Sequence, residues 1–370
     1  MTALAATAGC TKQPFPPGWL YVTRVDRTAA TVVWTGPGSR VVCRGSDGSS
    51  ADASGTVQDR GLRAARLDTL RPDTGYACGV VDADGRRVTR VHFRTAPAPG
   101  ASFLFTVVGD SGHGGPVGRA IARRIRAAHP AFLAHVGDFA YTHGTVGEYG
   151  RYFFGPYEPT LRRVPLFPTP GNHDLYARSV YRALFAPAYD GTRDLRYHFG
   201  WGAASFVSLS ARDGAAGAPG LADDLAAAGS RSWRIVLIHE PLYTTGWKMV
   251  ERGLRPGLEP VVEAAAVDFV IAGHQHFYER SLPSCAFVPT ARVVHVISGG
   301  GSGTGLDPVR DHPNFAVSVS EPNFLRVRVS ADWLDIRAVG ADGHTIDHAR
   351  QARSADLTCY GEGWPKQVWR

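Results

Sequence analysis

No stretch of the 370-residue chain reaches the roughly 18 uninterrupted apolar residues that a membrane-crossing helix needs, which excludes a helical transmembrane segment. Lysine is nearly absent. Lys12, Lys248 and Lys366 are the only lysines among 40 basic residues, so the net charge of +7 rests on arginine. The arginines are dispersed, and Arg119, Arg123 and Arg126 fall at helical spacing, as on a solvated helix face. No basic motif interleaved with aromatics accompanies them, so nucleic acid is not expected as a partner. The five cysteines, Cys10, Cys43, Cys78, Cys285 and Cys359, include no CxxC pair, which excludes a zinc ribbon or thioredoxin-like motif. Cys43 and Cys78 fall in segments that read as neighbouring strands and are placed to pair. Cys285 with Cys359 would then form a second pair and leave Cys10 alone; five reduced thiols are the alternative. The opening MTALAATAGC lacks the charged start and long apolar core of a signal peptide. Ala8-Gly9-Cys10 nevertheless resembles the end of a bacterial lipoprotein cleavage site, which makes Cys10 a candidate lipid anchor and the expected location secreted, periplasmic or cell-surface.

What is present describes an ordinary globular protein of two domains, 44% hydrophobic and 20% charged. After a tail (1–14), residues 15–96 alternate in short strands: TVVWT (31–35), RVVCRG (40–45), AARLDTL (64–70) and YACGVVDADG (76–85), with a hairpin turn at Asp84-Gly85. The run from Leu70 to Tyr76 resembles the tyrosine corner of a fibronectin type III sandwich, in which a tyrosine hydroxyl bonds back to upstream backbone. VHFRTAPAPG (91–100) ends this all-β domain and runs into a Pro/Ala/Gly linker (97–101).

From residue 102 to 370 apolar runs alternate with helical stretches, the pattern of layered α/β architecture. FLFTVVGD (103–110), PAFLAHVGD (130–138), VPLFPTPGNHD (164–174), RIVLIHE (234–240) and VDFVIAGHQH (267–276) each end in a polar cluster. Ligand sites of such sheets collect at the carboxyl ends of strands. The clusters supply Asp110, Asp138, Tyr141, Asn172, His239, His274 and His276. Carboxylates, an amide oxygen and imidazoles together suit a pair of transition-metal ions, with one carboxylate bridging. Asn172 is informative because the chain has only three asparagines.

The ordered set GDxG, GDxxY, GNHD, xxxH and GHxH resembles the purple acid phosphatases of the calcineurin-like metallophosphoesterase superfamily, over residues 103 to 305. Most relatives in that superfamily carry Asp-x-His as the first motif. Here position 112 is glycine, His113 is one residue out of phase, and Tyr141 stands where purple acid phosphatases place a tyrosinate ligand. The resemblance implies a layered β-sandwich flanked by helices behind the fibronectin type III-like domain, with small phosphoesters as substrates. It assigns Asp110, Asp138, Tyr141 and His276 to a first metal, Fe(III), and Asp138, Asn172, His239 and His274 to a divalent second: Zn, Mn or Fe. Hydroxide on the metal would attack a phosphomonoester. A phosphodiesterase or nucleotide hydrolase on the same metals is the near alternative, and a binding protein built on the β domain the distant one.

Catalytic candidates beyond the metal set are His173, to contact phosphate or protonate the leaving group, and Asp174, to orient His173 through a ring N–H. The paired histidines that plant relatives carry after the His239 position are missing from Tyr243–Met249, where Lys248 is the candidate charge toward substrate. His295 and Asp307 are read as buried or surface residues near the rim. Glycine-rich SGGGSGTG (298–305) lacks the lysine of a phosphate loop and reads as a turn near the site.

Overall fold

The computed structural model describes residues 12–189, 195–229, 231–251, 253–355 and 358–363. Cys10 and Lys366, and with Cys10 the candidate anchor, lie outside the described residues.

Short β-branched and aromatic runs broken by glycine and aspartate turns make the first eight strands, which form two four-stranded sheets. One is ordered Leu20–Thr23, Ala30–Thr35, Leu62–Leu67, Thr56–Val57; the other is Ser50–Ser54, Arg40–Gly45, Gly75–Val81, Arg87–Arg94. Val22, Val32, Trp34, Val41, Val80 and Val91 are buried in their shared core. Cys43 and Cys78 stand directly opposite in adjacent strands and form a disulfide, and Cys285 and Cys359 form another. Tyr76 makes the corner expected of it: the Arg71 N–H donates to its hydroxyl at 2.8 Å.

The rest of the chain builds two larger sheets. The six-stranded sheet is ordered Leu166–Thr169, Leu133–Val136, Phe103–Val108, Asn323–Val329, Trp333–Gly340, Thr345–Ala352. The seven-stranded sheet runs Arg196–Trp201, Ala204–Leu209, Trp233–Leu237, Phe269–Ala272, Val294–Ser298, Tyr278–Ser281, Phe315–Val319. They meet through Phe105, Phe132 and Phe206, whose rings lie 5.1–5.4 Å apart. Helices Pro116–Ala127, Gly155–Leu161 and Arg178–Phe185 bury side chains in one outer cluster, and Leu254–Ala264 does so in another.

Within each sheet the motif-bearing strands are parallel neighbours. Their carboxyl ends, and the loops that follow, therefore emerge on one side. The front sandwich backs this region. Trp19 stacks on Phe154 at 4.3 Å, and the Tyr21 hydroxyl donates to the Leu184 carbonyl. The same apolar cluster includes Phe139 and Tyr149, which sit behind the metal-motif loops. Among the described residues, no helix is long and apolar enough to cross a membrane.

Candidate metal centre

Asp110 and Asp138 each stand two residues beyond a strand, at φ 58° and 57°, and His274 sits at φ 71°. Left-handed backbone is unfavourable by about 1–2 kcal/mol for a residue with a Cβ, so three strained positions in one cluster mark a place where geometry outranks local stability.

The loops bring all seven predicted ligands together. Asp110, Asp138 and His239 are buried, and each offers a donor atom within 4.8 Å of the other two. Around Asp110 Oδ1 lie the Tyr141 hydroxyl at 2.8 Å and His276 Nε2 at 3.5 Å. Around Asn172 Oδ1 lie His239 Nε2 at 3.1 Å and His274 Nδ1 at 3.0 Å, with Asp138 Oδ2 3.4 Å from His239 Nε2. The outer oxygen of each carboxylate is already taken. Asp110 Oδ2 accepts the His274 N–H, and Asp138 Oδ1 accepts the His173 N–H, both from the backbone.

The imidazoles are oriented the same way. The remote nitrogens of His239, His274 and His276 face the carbonyls of Val136, Met249 and Gly305 at 2.8–2.9 Å. A ring that donates its far N–H to a carbonyl turns its other lone pair inward, the outer-shell arrangement of metal-binding histidine. His274 Nδ1 and Asn172 Oδ1 thus both present lone pairs to one point, an arrangement that a cation satisfies and water-free packing does not. The donor set fits metal.

The electrostatics agree. Burial alone would raise the carboxyl pKa values, but His239 holds both Asp110 and Asp138 low. Burial would lower His239, yet Asp138 and Asp110 push it up to about 9. Burial and the neighbouring His239 bring His274 down to about 3. Burial, with Asp110 and Asp138 nearby, raises the Tyr141 phenol well above its usual range, so a phenolate there needs a strong Lewis acid.

The glycine at 112 and the tyrosine at 141 have a common cause. A Cβ on Gly112 would lie 2.7 Å from the Tyr141 nitrogen and 2.8 Å from that of Ala140. The loop that carries Tyr141 fills the space a longer residue would need. Gly171 is as tightly constrained, since a Cβ there would meet Asp138 Oδ1 at 2.1 Å. The glycine-rich stretch forms a wall beside the site: Gly301 N–H donates to the Gly109 carbonyl.

His173 and Lys248 line a cavity of about 210 Å³ together with Asp138, Tyr141, Asn172, His274 and His276. The expected role of Asp174 is corrected by its bonds. Its two oxygens accept the N–H groups of Asp138, Phe139 and Gly171 and the Tyr149 hydroxyl at 2.7–3.1 Å. The ring of His173 bonds instead to the Thr142 carbonyl at 2.7 Å. Asp174 therefore pins the backbone of two metal-motif loops, because a buried carboxylate with four donors around it has no oxygen left for a ring. Lys248 pairs with Asp307 at 3.0 Å, and Asp307 also accepts the His276 N–H at 2.7 Å. His295 lies elsewhere, buried against Glu259 and Ser284.

Two residues of the site escape sequence reasoning. His113 lines the cavity with its ring 4.4 Å from Tyr141, although nothing in GDSG marks the residue that follows it. Gln275 exchanges two hydrogen bonds with the backbone of Lys248. Its only signal was its place inside Gly273-His274-Gln275-His276.

The calcineurin-like phosphoesterase family pattern matches residues 103–278. Human acid phosphatase type 7 is 28% identical, with 74% of this chain and 72% of the human protein covered. The phosphoenolpyruvate phosphatase of Allium cepa is 25% identical over 73% of this chain and 64% of its own length. The purple acid phosphatase PPD1 from seeds of yellow lupin, Lupinus luteus, superposes with a TM-score of 0.75 at 17% identity, covering 91% of this chain and 74% of the lupin chain. With the Asp, Asn and His motifs following parallel strands inside the matched segment, residues 103–278 carry the calcineurin-like phosphoesterase pattern, and the chain has the fold of a purple acid phosphatase.

Proposed function

We propose that the protein is a binuclear metal-dependent phosphatase that hydrolyses small phosphomonoesters outside the cytoplasm. The observation that carries this reading is the double donor cluster around Asp138, in which three imidazoles are each fixed from behind by a carbonyl. Asp110, Tyr141 and His276 would hold the first cation with Asp138. A phenol and carboxylates suit a hard trivalent ion, Fe(III). Asn172, His239 and His274 would hold the second with the same Asp138, and imidazoles suit Zn, Mn or Fe(II). When bound, the pair lowers the pKa of an attacking water and offsets the charge on the phosphoryl group.

The chain's own residues do the rest. Lys248, beside the cavity, adds positive charge toward a phosphate oxygen. His173 is held through Nδ1 by Thr142, which leaves Nε2 for substrate. As the water oxygen bonds to phosphorus and the ester P–O bond breaks, His173 gives a proton to the departing oxygen; one proton of the water stays on the phosphate and the other restores the imidazole. The products are an alcohol and inorganic phosphate. The two disulfides favour an oxidising compartment, consistent with secretion or cell-surface location.

Metal analysis and a visible absorption spectrum test this together. The expected result is two metal ions per chain and a phenolate-to-iron band that disappears in Tyr141→Phe. Protein that takes up no metal and hydrolyses no monoester overturns the reading. A strong preference for a bis-ester over a monoester would move it to the phosphodiesterases.

A further inference from the structure

Not all of the arginines are dispersed. A groove of about 1200 Å³ follows the seam between the front sandwich and the catalytic domain. Arg44 and Arg94 line it from the sandwich and Arg126 and Arg163 from the catalytic domain, and His92 and His129 add one imidazole from each side. Asp73 is the one acid in the lining, and Arg94 takes it at 2.8 Å. Four guanidiniums to one carboxylate contrast with 40 basic to 33 acidic residues in the whole chain. Among the described residues, no carboxylate pairs with Arg44, Arg126 or Arg163. Burial and the nearby Arg163 and Arg90 guanidiniums hold the His92 pKa below its usual value, as a local surplus of positive charge requires. Of the three arginines at helical spacing on Pro116–Ala127, only Arg126 reaches the groove.

The walls are fixed. The His92 N–H donates to the Arg162 carbonyl at 2.8 Å, and the Arg162 guanidinium returns a bond to the Arg90 carbonyl at 3.1 Å. The last strand of the sandwich is thereby clipped to the turn that carries Arg163. The Ala131 N–H donates to the Leu104 carbonyl at 2.7 Å and holds the opposite domain's wall. The backbone that carries the charges needs no rearrangement when an anion arrives. The groove also stands apart from the metal centre. Phe103, Leu104 and Ala131 line it near the amino ends of strands Phe103–Val108 and Leu133–Val136, whereas Asp110 and Asp138 follow the carboxyl ends of the same strands. At about 3.3 Å per residue, the two places are roughly 20 Å apart.

We propose that the seam groove is a second, non-catalytic site that holds a linear phosphate polymer through Arg44, Arg126 and Arg163. Separately mounted guanidiniums match oxyanions repeated along a chain, and each presents a fork of N–H groups to phosphate oxygens. The volume agrees, since it exceeds the roughly 300–1,000 Å³ of sites for small molecules. Nucleic acid carries the same phosphates but fits poorly, because its bases find no free ring. Tyr76, Phe93 and Trp201 are at most 4% exposed, and Phe103 packs on Phe105 and Phe132. The choice of phosphate over sulfate rests on the phosphomonoesterase reading above, since a tether of that chemistry keeps the enzyme beside its substrate class.

The test follows binding of fluorescently labelled long-chain inorganic polyphosphate to the full chain by anisotropy, across a salt series. Arg163→Glu, and Arg44→Gln combined with Arg126→Gln, should each weaken binding about tenfold or more and flatten its salt dependence. Arg123→Glu makes the same charge reversal on an exposed arginine outside the groove and should change affinity less than about twofold. Hydrolysis of phenyl phosphate should be the same in all of them. Arg44 and Arg163 are exposed and Arg126 is half-buried, so the variants keep the fold, which the thermal midpoint checks. A loss in Arg123→Glu as large as that in Arg163→Glu overturns the proposal, because binding would then follow net charge. Wild type that binds no polyphosphate at about 0.1 M salt overturns it too, as does tighter binding of dextran sulfate or of single-stranded DNA. Wild type that binds polyphosphate through these arginines but hydrolyses no monoester leaves the groove standing and overturns the reading of the metal centre.

Discussion

Between Phe15 and Ala96 the buried polar side chains are all threonines: Thr23, Thr31, Thr35, Thr74 and Thr95. Around the cavity the same chain buries Asp110, Asp138, Asn172, Asp174, His239 and His274, brought together from five separate loops. The sandwich shows a disulfide across facing strands and a tyrosine tied to its own backbone. The metal loops show left-handed aspartates and lone pairs directed at each other. One region is arranged so that burial and cross-linking stabilise it unaided. The other is preassembled against its own local preferences and relies on the surrounding sheets to hold it, with a donor set that a cation would draw together.

The sharpest way to break this comparison is Asp138→Asn. On the proposed reading metal content should fall toward zero, and hydrolysis should drop about a thousandfold or more, since a carboxylate shared by two ions would support several kcal/mol of charge stabilisation. The thermal midpoint of the metal-free protein should fall at neutral pH, because the buried His239 imidazolium loses the carboxylate that it holds ionised. Full activity in this variant would dissolve the distinction between the regions. The mirror experiment is Cys43→Ala with Cys78→Ala. It should lower unfolding free energy by about 3–4 kcal/mol, the loop-closure effect of a cross-link at a separation of 35 residues, while activity per folded chain is unchanged. Denaturant titration beside a kinetic assay reads both.

Asp174→Asn tests the boundary, because this residue is buried structure serving the site. An amide keeps one acceptor and introduces a donor where three backbone N–H groups already point, so metal affinity or kcat/KM should fall about 10- to 100-fold. The pH response separates the regions further. His239 titrates near 9, so at neutral pH its imidazole carries a proton that a cation must displace. Metal affinity should therefore rise with pH up to about 9 and weaken about tenfold per unit below it for one proton released. Calorimetry in buffers of different ionisation heat counts that proton. The sandwich, with no buried carboxylate or imidazole, contributes nothing to this response.

The legible parts of the site were those set by local chemistry. Asp110, Asp138, Asn172, His239 and His274 follow apolar runs that can only be strands, and a polar residue just past a buried strand has few other places to go. The tyrosine corner was legible for the same reason: its partner lies five residues upstream. Contacts between distant segments were not. Asp174 read as an aide to the neighbouring His173, and its actual partners at 138, 139 and 149 are chosen by how two loops and a helix meet. Strands such as Arg196–Trp201 and Tyr278–Ser281 carry charge among their apolar residues and take their place from neighbours, so periodicity alone did not mark them. Gln275 has no chemistry of its own at the site; its work is to hold the backbone of Lys248.

Tyr76→Phe is the smallest and cleanest probe of the comparison. The hydroxyl accepts the Arg71 N–H at 2.8 Å and lies 3.1 Å from Ser49 Oγ, while the ring is buried against Phe93. Phenylalanine preserves the ring contact and removes only the acceptor, leaving a partly buried N–H to find water. The expected loss is about 1 kcal/mol of stability, read from the denaturant midpoint. Activity and metal content should not change, because the corner lies on the far side of the sandwich core from the Trp19–Phe154 contact and only the bulk of that domain reaches the metal loops. A loss of metal in this variant would mean that the sandwich tunes the ligand geometry, and the two regions would have to be treated as one.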